Sequence, residues 1–248
     1  MTSTKIKQLL LLFLICNFTV SALAQDDRDL RIGFKIIPGF NWVKPNTNLI
    51  QKQGMNIGFS FGLMADIKLD ENYYFTTEIN VSSMNNRLKL KDTSIQIINN
   101  NSGNEFSKIS YKYNLQYIEI PLTFKFRTNE NDGLRFWGQF GLAPGILIGN
   151  KVKTSAQTVN VGNPGFPSNE SYIPNDKAND NLDFVDYQDN INAIRASMII
   201  GAGIEYRLGG NTSFYSGLRF NNGFTDILND KKNKAINNVL GLEIGFFF

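Results

Sequence analysis

The 248-residue chain has no histidine and a single cysteine, and each shortage removes a class of chemistry. Without an imidazole there is no side chain poised to gain and lose a proton near neutral pH. That excludes the histidine-dependent hydrolases and transferases. A Ser-Lys or carboxylate-only mechanism stays open in principle, but no spacing points to one. Cys16 follows Ile15 rather than the small residue that lipid attachment requires, and it lies in the N-terminal segment. The remainder of the chain can form no disulfide, thiolate nucleophile or cysteine metal site. Charge of one sign is also scarce: the formal net charge is +3, and no Lys/Arg block accompanies it, so nucleic acid is excluded as a partner. Beyond residue 24 no run of 18 apolar residues occurs, which excludes a transmembrane helix. A chain that crosses lipid without helices must close its strands into a barrel, because an unpaired backbone edge is not tolerated there.

The first 24 residues read as a cleaved signal peptide. Lys5 and Lys7 form a basic start, Leu9 to Ile15 an apolar stretch too short to span a bilayer, and Ala22-Leu23-Ala24 a small-x-small cleavage pattern. Residues 25–248 then make one domain, with Gln25 as the mature N-terminus.

That domain is dominated by alternation of period two, the mark of strands whose successive side chains point to opposite faces. The clearest run places Met55, Ile57, Phe59, Phe61, Leu63, Ala65, Ile67 and Leu69 against Asn56, Gly58, Ser60, Gly62, Met64, Asp66 and Lys68. Seven further segments alternate in the same way: those beginning at Leu30, Tyr73, Tyr117, Leu134, Ile194, Phe214 and Leu240. The apolar face is even-numbered in six strands and odd-numbered in the second and third.

The connections alternate too. Asp70-Glu71-Asn72, residues 129–133 and Gly209-Gly210-Asn211 are tight turns, whereas residues 43–54, 85–108, 148–192 and 222–235 are long. The predicted fold is therefore all-β: an eight-stranded antiparallel up-and-down transmembrane barrel with short periplasmic turns and long extracellular loops. A soluble barrel would turn its bulky apolar face inward. Here the opposite face is too rich in glycine and too poor in Lys and Glu to serve as a solvated exterior.

Inside a narrow barrel the charged positions of that opposite face must find partners. Glu78, Glu119, Glu205 and Glu243 are the candidate lumen carboxylates, and Lys35, Arg135, Arg195 and Arg219 the candidate cations. Glu119, beside Pro121, invites a second reading as a gate on a solute path, but an interior ion pair is favoured. Trp42, Tyr73, Tyr74, Trp137 and Tyr206 are candidates for interfacial aromatic girdles or for packing. One stretch breaks phase: Ile109, Tyr111, Tyr113 and Leu115 are odd-numbered, while the apolar face from Ile118 onward is even-numbered. Either a bulge intervenes or these residues rise above the membrane in an extended hairpin, and the hairpin is the preferred reading.

Residues 117–126, Tyr-Ile-Glu-Ile-Pro-Leu-Thr-Phe-Lys-Phe, resemble the Y-[LI]-E-[IV]-P-L-x-x-K signature of the PorT-like outer-membrane β-barrel proteins of Bacteroidota. Gly141-Leu-Ala-Pro-Gly145, Tyr215-Ser-Gly-Leu-Arg219 and Gly223-Phe-Thr-Asp-Ile227 are similar to other segments of that family, and Phe248 resembles the terminal aromatic read by the barrel-assembly machinery. The resemblance implies an outer-membrane location. The family includes a member associated with type IX secretion while most members have no assigned activity, so the resemblance leaves a secretion role open for this chain.

Asp176, Asp180, Asp183, Asp186 and Asp189 cluster in one long loop, but without the glycine-centred register of a calcium loop, so a solvated acidic loop is expected. Together these features predict a non-enzymatic outer-membrane barrel without cofactor or metal. Its partners would be lipid, the assembly machinery and a protein engaged by loops or turns. It would serve as an accessory, scaffold or recognition component. The alternative is a narrow, porin-like channel for small solutes, which an eight-stranded bore with inward charges disfavours.

Overall fold

The computed structural model describes residues 29–46, 50–52, 54–90, 95–99, 102–160, 170–173, 191–229 and 234–248. The signal-peptide segment and the acidic cluster from Asp176 to Asp189 lie outside the described residues. Every regular element among those described is a strand: β1 Leu30–Pro45, β2 Ile50–Lys52, β3 Asn56–Asp70, β4 Tyr73–Leu90, β5 Ile95–Asn99, β6 Ser102–Glu119, β7 Leu122–Arg127, β8 Leu134–Asn160, β9 Glu170–Ile173, β10 Ile194–Gly209, β11 Thr212–Asp226 and β12 Ala235–Phe247.

Eight of the walls they form close into a ring. All pairings are antiparallel: β1 with β3, β3 with β4, β4 with β6 and β7, both of these with β8, β8 with β10, β10 with β11, β11 with β12, and β12 with β1 to seal the seam. Strands β6 and β7 make a single wall interrupted at Ile120 and Pro121, since Pro121 cannot donate to the ladder. The wall stays continuous there: Pro121 accepts from Glu78 N at 3.0 Å, and Ile120 N donates to Pro144 O at 2.8 Å. The short turns obey local chemistry. Asp132 and Gly133 both have positive φ (51° and 80°), and Asn131 and Leu134 exchange backbone hydrogen bonds at 2.9 Å on either side of them. This is the two-residue hairpin geometry that Asp-Gly favours, since its twist matches that of the strands.

The apolar belt faces outward. Phe34, Phe61, Leu63, Ile79, Phe124, Phe140, Ile200 and Leu218 are all exposed large side chains, odd-numbered on β3 and β4 and even-numbered elsewhere. Side chains on the inner face are buried, many of them charged or polar.

The long connections are less loop-like than the sequence suggests. Strand β1 runs on to Pro45, β4 to Leu90 and β8 to Asn160, while β6 starts at Ser102, so part of each predicted loop is ordered sheet standing above the belt. The break in phase is explained by the same extension. From Lys112 to Glu119 side-chain direction on β6 does not change: Tyr113, Leu115, Tyr117 and Glu119 all point inward and are buried, and Lys112, Gln116 and Ile118 point outward, while the side chains of Ile109 and Tyr111 lie outside the described ones. What changes is the surrounding medium. Below Ile118 the outside is lipid and the apolar residues face out; above it the outside is water and they face in. A register shift does occur between Gln116 and Tyr117 in the β6–β8 pairing, but it leaves the facing of β6 unaltered.

Candidate functional site

The strands enclose a lumen, and taking β4 upward from the short-turn end marks its levels. At the bottom, Glu205 accepts from Arg31 Nη2 at 2.7 Å and from Arg127 Nη1 at 3.1 Å. The guanidinium of Arg127 lies 3.9 Å from the centroid of the Tyr74 ring. One level up, Trp137 stacks on Tyr215 (centroids 4.5 Å apart, planes 15° off parallel), and Tyr215 meets Phe247 edge-on. Lys125 Nζ sits 4.6 Å from the centroids of both Tyr215 and Phe247 and donates to Asp66 at 2.9 Å. Asp66 accepts in addition from Thr76 at 2.6 Å.

The third level is a quartet of alternating charge. Lys35 Nζ donates to Glu78 at 2.7 Å and to Glu243 at 2.8 Å, and Arg219 Nη1 donates to the same two carboxylates at 2.9 Å each. Tyr215 Oη donates to Glu243 at 2.7 Å and Asn80 Nδ2 to Glu78 at 2.8 Å. All four charges are at most 2% exposed, so each depends on its partners rather than on water. Above the quartet Arg195 pairs with Glu119, which also accepts from Ser82 Oγ at 2.6 Å. A cavity of about 20 Å³ lies beside it, lined in part by Asn41, Asn80, Ser82 and Asn221, with room for little more than a water molecule.

The top is closed by carbon. Val43, Met84, Leu88, Tyr113, Leu115, Tyr117, Val152, Ile191, Ile227, Leu228 and Ala235 form one buried cluster across the mouth of the ring. The protein is thus inverted along its axis. Where it crosses lipid the core is ionic and the surface apolar. Where it projects beyond, the core is mostly apolar, with one buried amide pair in which Asn237 Nδ2 donates to Asn86 Oδ1 at 2.6 Å.

Of the charged positions singled out from the sequence, Lys35, Glu78, Arg219 and Glu243 meet in the quartet, Arg195 meets Glu119, and Glu205 lies at the bottom level. Arg135 stands apart from the lumen. It is partly exposed and pairs with Glu130 at 2.7 Å, as does Arg207 at 2.8 Å, because its position at the hairpin end lets its long side chain reach the turn. Two girdle candidates also face the other way: Tyr74 and Trp137 are buried in the lumen, whereas Tyr73 and Tyr206 are exposed on the outer face and Trp42 stacks on Phe220. Strand parity would have placed both correctly, since Tyr74 alternates with Tyr73 and Trp137 with Phe136. Sequence reasoning did not single out Lys125, Asp66, Arg127 or Arg31, although the same alternation puts them on the inner face. Phe248 stacks on Phe34 outside the barrel, and its backbone N–H donates to Ile32 O at 2.9 Å.

Residues 23–229 match the model of the outer membrane protein beta-barrel domain. The chain belongs to that family. The barrel is accordingly an outer-membrane protein, with the apolar belt in contact with lipid. Among solved structures it is similar to Neisserial surface protein A (11% identity over 89% of this chain and 96% of that one, TM-score 0.43). It is also similar to OprG from Pseudomonas aeruginosa (12%, 87% and 94%, TM-score 0.40) and to the outer membrane protease OmpT from Escherichia coli (9%, 90% and 99%, TM-score 0.41). Likeness at this level says nothing about what the barrel does. No curated protein sequence matches the chain.

Proposed function

We propose that the barrel is a non-enzymatic component of the outer membrane, acting as an accessory, scaffold or recognition element through the sheet and loops it carries beyond the bilayer. The observation that carries this reading is the filled bore: four levels of paired charge and stacked rings lie beneath an apolar cluster and fill the lumen among the described residues. The absence of histidine supports a non-catalytic role. The resemblance of residues 117–126 to the PorT-like signature supports a place alongside type IX secretion, and residues 1–24 are read as the export signal that brings the chain to the membrane.

Planar-bilayer recording of the refolded protein tests the filled bore. The expected trace is flat, and stable ion-conducting steps would replace this reading with a narrow channel. Deletion of the coding sequence, followed by quantifying secreted type IX cargo, tests the secretion link. Undiminished cargo would remove that link while leaving the scaffold reading intact.

A further inference from the structure

The wall formed by β4, β6 and β8 continues above the apolar belt, and its strand register aligns cations. Arg87 pairs across the strands with Lys112, and Lys112 pairs with Lys153, so three like charges lie in one row. Lys151, opposite Asn114, adds a fourth in the adjacent row, and Lys89 flanks the row on β4. Arg87, Lys112, Lys151 and Lys153 are exposed, while Leu88, Tyr113 and Val152 beside them are buried in the apolar cap. The cap therefore fixes the strands and leaves the cations facing out together. Like charges directly opposite one another in a sheet are destabilising. No acidic side chain among those described on this face offsets them. A row of exposed cations that no described acidic side chain on this face offsets suits an external anion.

Its height says where that anion comes from. On the same three strands the outward apolar residues end lower down, at Val81 on β4, Ile118 on β6 and Ile148 on β8. From Ile118 to Lys112 is six residues, which at ~3.3 Å per residue and a tilt of ~40° is a rise of about 15 Å. That level lies above a phospholipid headgroup and within the sugar headgroup of an outer-leaflet glycolipid. Lys and Arg side chains can also bend down toward the interface. We propose that the outward face of β4, β6 and β8 binds the phosphate groups of the glycolipid in which the barrel is embedded. The polar positions between belt and row, Gln116 and Asn114, lie where sugar hydroxyls would pass.

The test uses the full-length barrel in vesicles with and without lipopolysaccharide, comparing the wild type with the triple variant Arg87→Gln, Lys112→Gln, Lys153→Gln. The readouts are the amount of glycolipid that co-purifies and the temperature at which the folded, fast-migrating form is lost. The wild type is expected to hold lipopolysaccharide and to melt higher in its presence. The triple variant should bind at least tenfold less and lose that shift, and the Lys112→Arg, Lys153→Arg variant should keep both. Phosphatase-treated lipopolysaccharide should behave with the wild type as the intact form does with the triple variant. Unchanged binding by the triple variant, or equal binding of the dephosphorylated lipid, overturns the proposal. So does a preference for heparin fragments over lipopolysaccharide, which would assign the row to a glycan on another surface. Neutralising the row relieves repulsion, so the triple variant should fold; if it does not, Lys112→Gln alone gives the same comparison.

Discussion

Lys35 and Glu243, 208 positions apart, are joined by a 2.8 Å hydrogen bond across the seam where the first and last strands of the barrel meet. Arg219, on the next strand, shares the same carboxylate, and Glu78 answers from the far side of the lumen, so the quartet ties β1, β4, β11 and β12 together. Removing one member leaves a buried charge short of a partner, which costs about 3–5 kcal/mol. Glu243→Gln is therefore expected to lower the urea midpoint of unfolding from lipid vesicles by a corresponding amount. Lys35→Met combined with Glu243→Leu removes one charge of each sign and leaves Arg219 paired with Glu78. This double variant should lose less than Glu243→Gln alone. An additive double-mutant cycle would show that the two residues do not interact.

The two tryptophans should report opposite environments. Trp137 is 2% exposed, stacked in the lumen with its Nε1 donating to Ile204 O at 3.1 Å, whereas Trp42 packs with Phe220 on the outer face. In a Trp42→Phe variant the remaining Trp137 emission should resist quenching by brominated acyl chains. In a Trp137→Phe variant the remaining Trp42 emission should be quenched. Equal quenching of the two would place Trp137 in a lipid-facing girdle after all.

Much of this was written in the alternation itself. The run from Met55 to Leu69 sets one face of β3 in lipid and the other in the lumen with no tertiary information, because a strand has only two faces. Position along the strand was harder to read. Tyr113 and Leu115 look out of phase until the medium outside the barrel is known to change from lipid to water between Ile118 and Gln116. Pairing was harder still. Arg135 has the parity of a lumen residue, and only its place at the hairpin end sends it to Glu130. Lys125 carries the same parity and is held by Asp66 from two strands away, a contact set by the curvature of the ring rather than by spacing along the chain.

Glycine at position 217 is required by the ring beside it. A Cβ there would lie 2.3 Å from Trp137 Cζ2 and 2.5 Å from the Ala202 carbonyl oxygen. Gly217→Val is expected to destabilise the barrel by at least the ~1–3 kcal/mol typical of overpacking, read as a lower urea midpoint. Adding Trp137→Leu should recover only part of the loss, since the backbone contact remains. Full recovery would assign the whole effect to the indole, and no loss at all would place the indole elsewhere.

The inversion of the barrel along its axis predicts that one substitution has three outcomes at three positions. Leu63 faces lipid in the middle of β3, Gln116 faces out above the belt, and Leu115 faces into the apolar cap with 1% of its surface exposed. Arginine at position 63 puts a charge into hydrocarbon, at a cost of ~2–4 kcal/mol near the midplane. At position 116 it joins water and headgroups, where a cost near zero is expected. At position 115 it places an unpaired charge inside a packed carbon cluster, and there the loss should match or exceed that at 63 even though the residue lies outside the membrane. The urea midpoints of Leu63→Arg, Gln116→Arg and Leu115→Arg in lipid vesicles check this order. If Leu115→Arg were as mild as Gln116→Arg, Tyr113 and Leu115 would not enclose an apolar cap, and the bore would be open at its outer end.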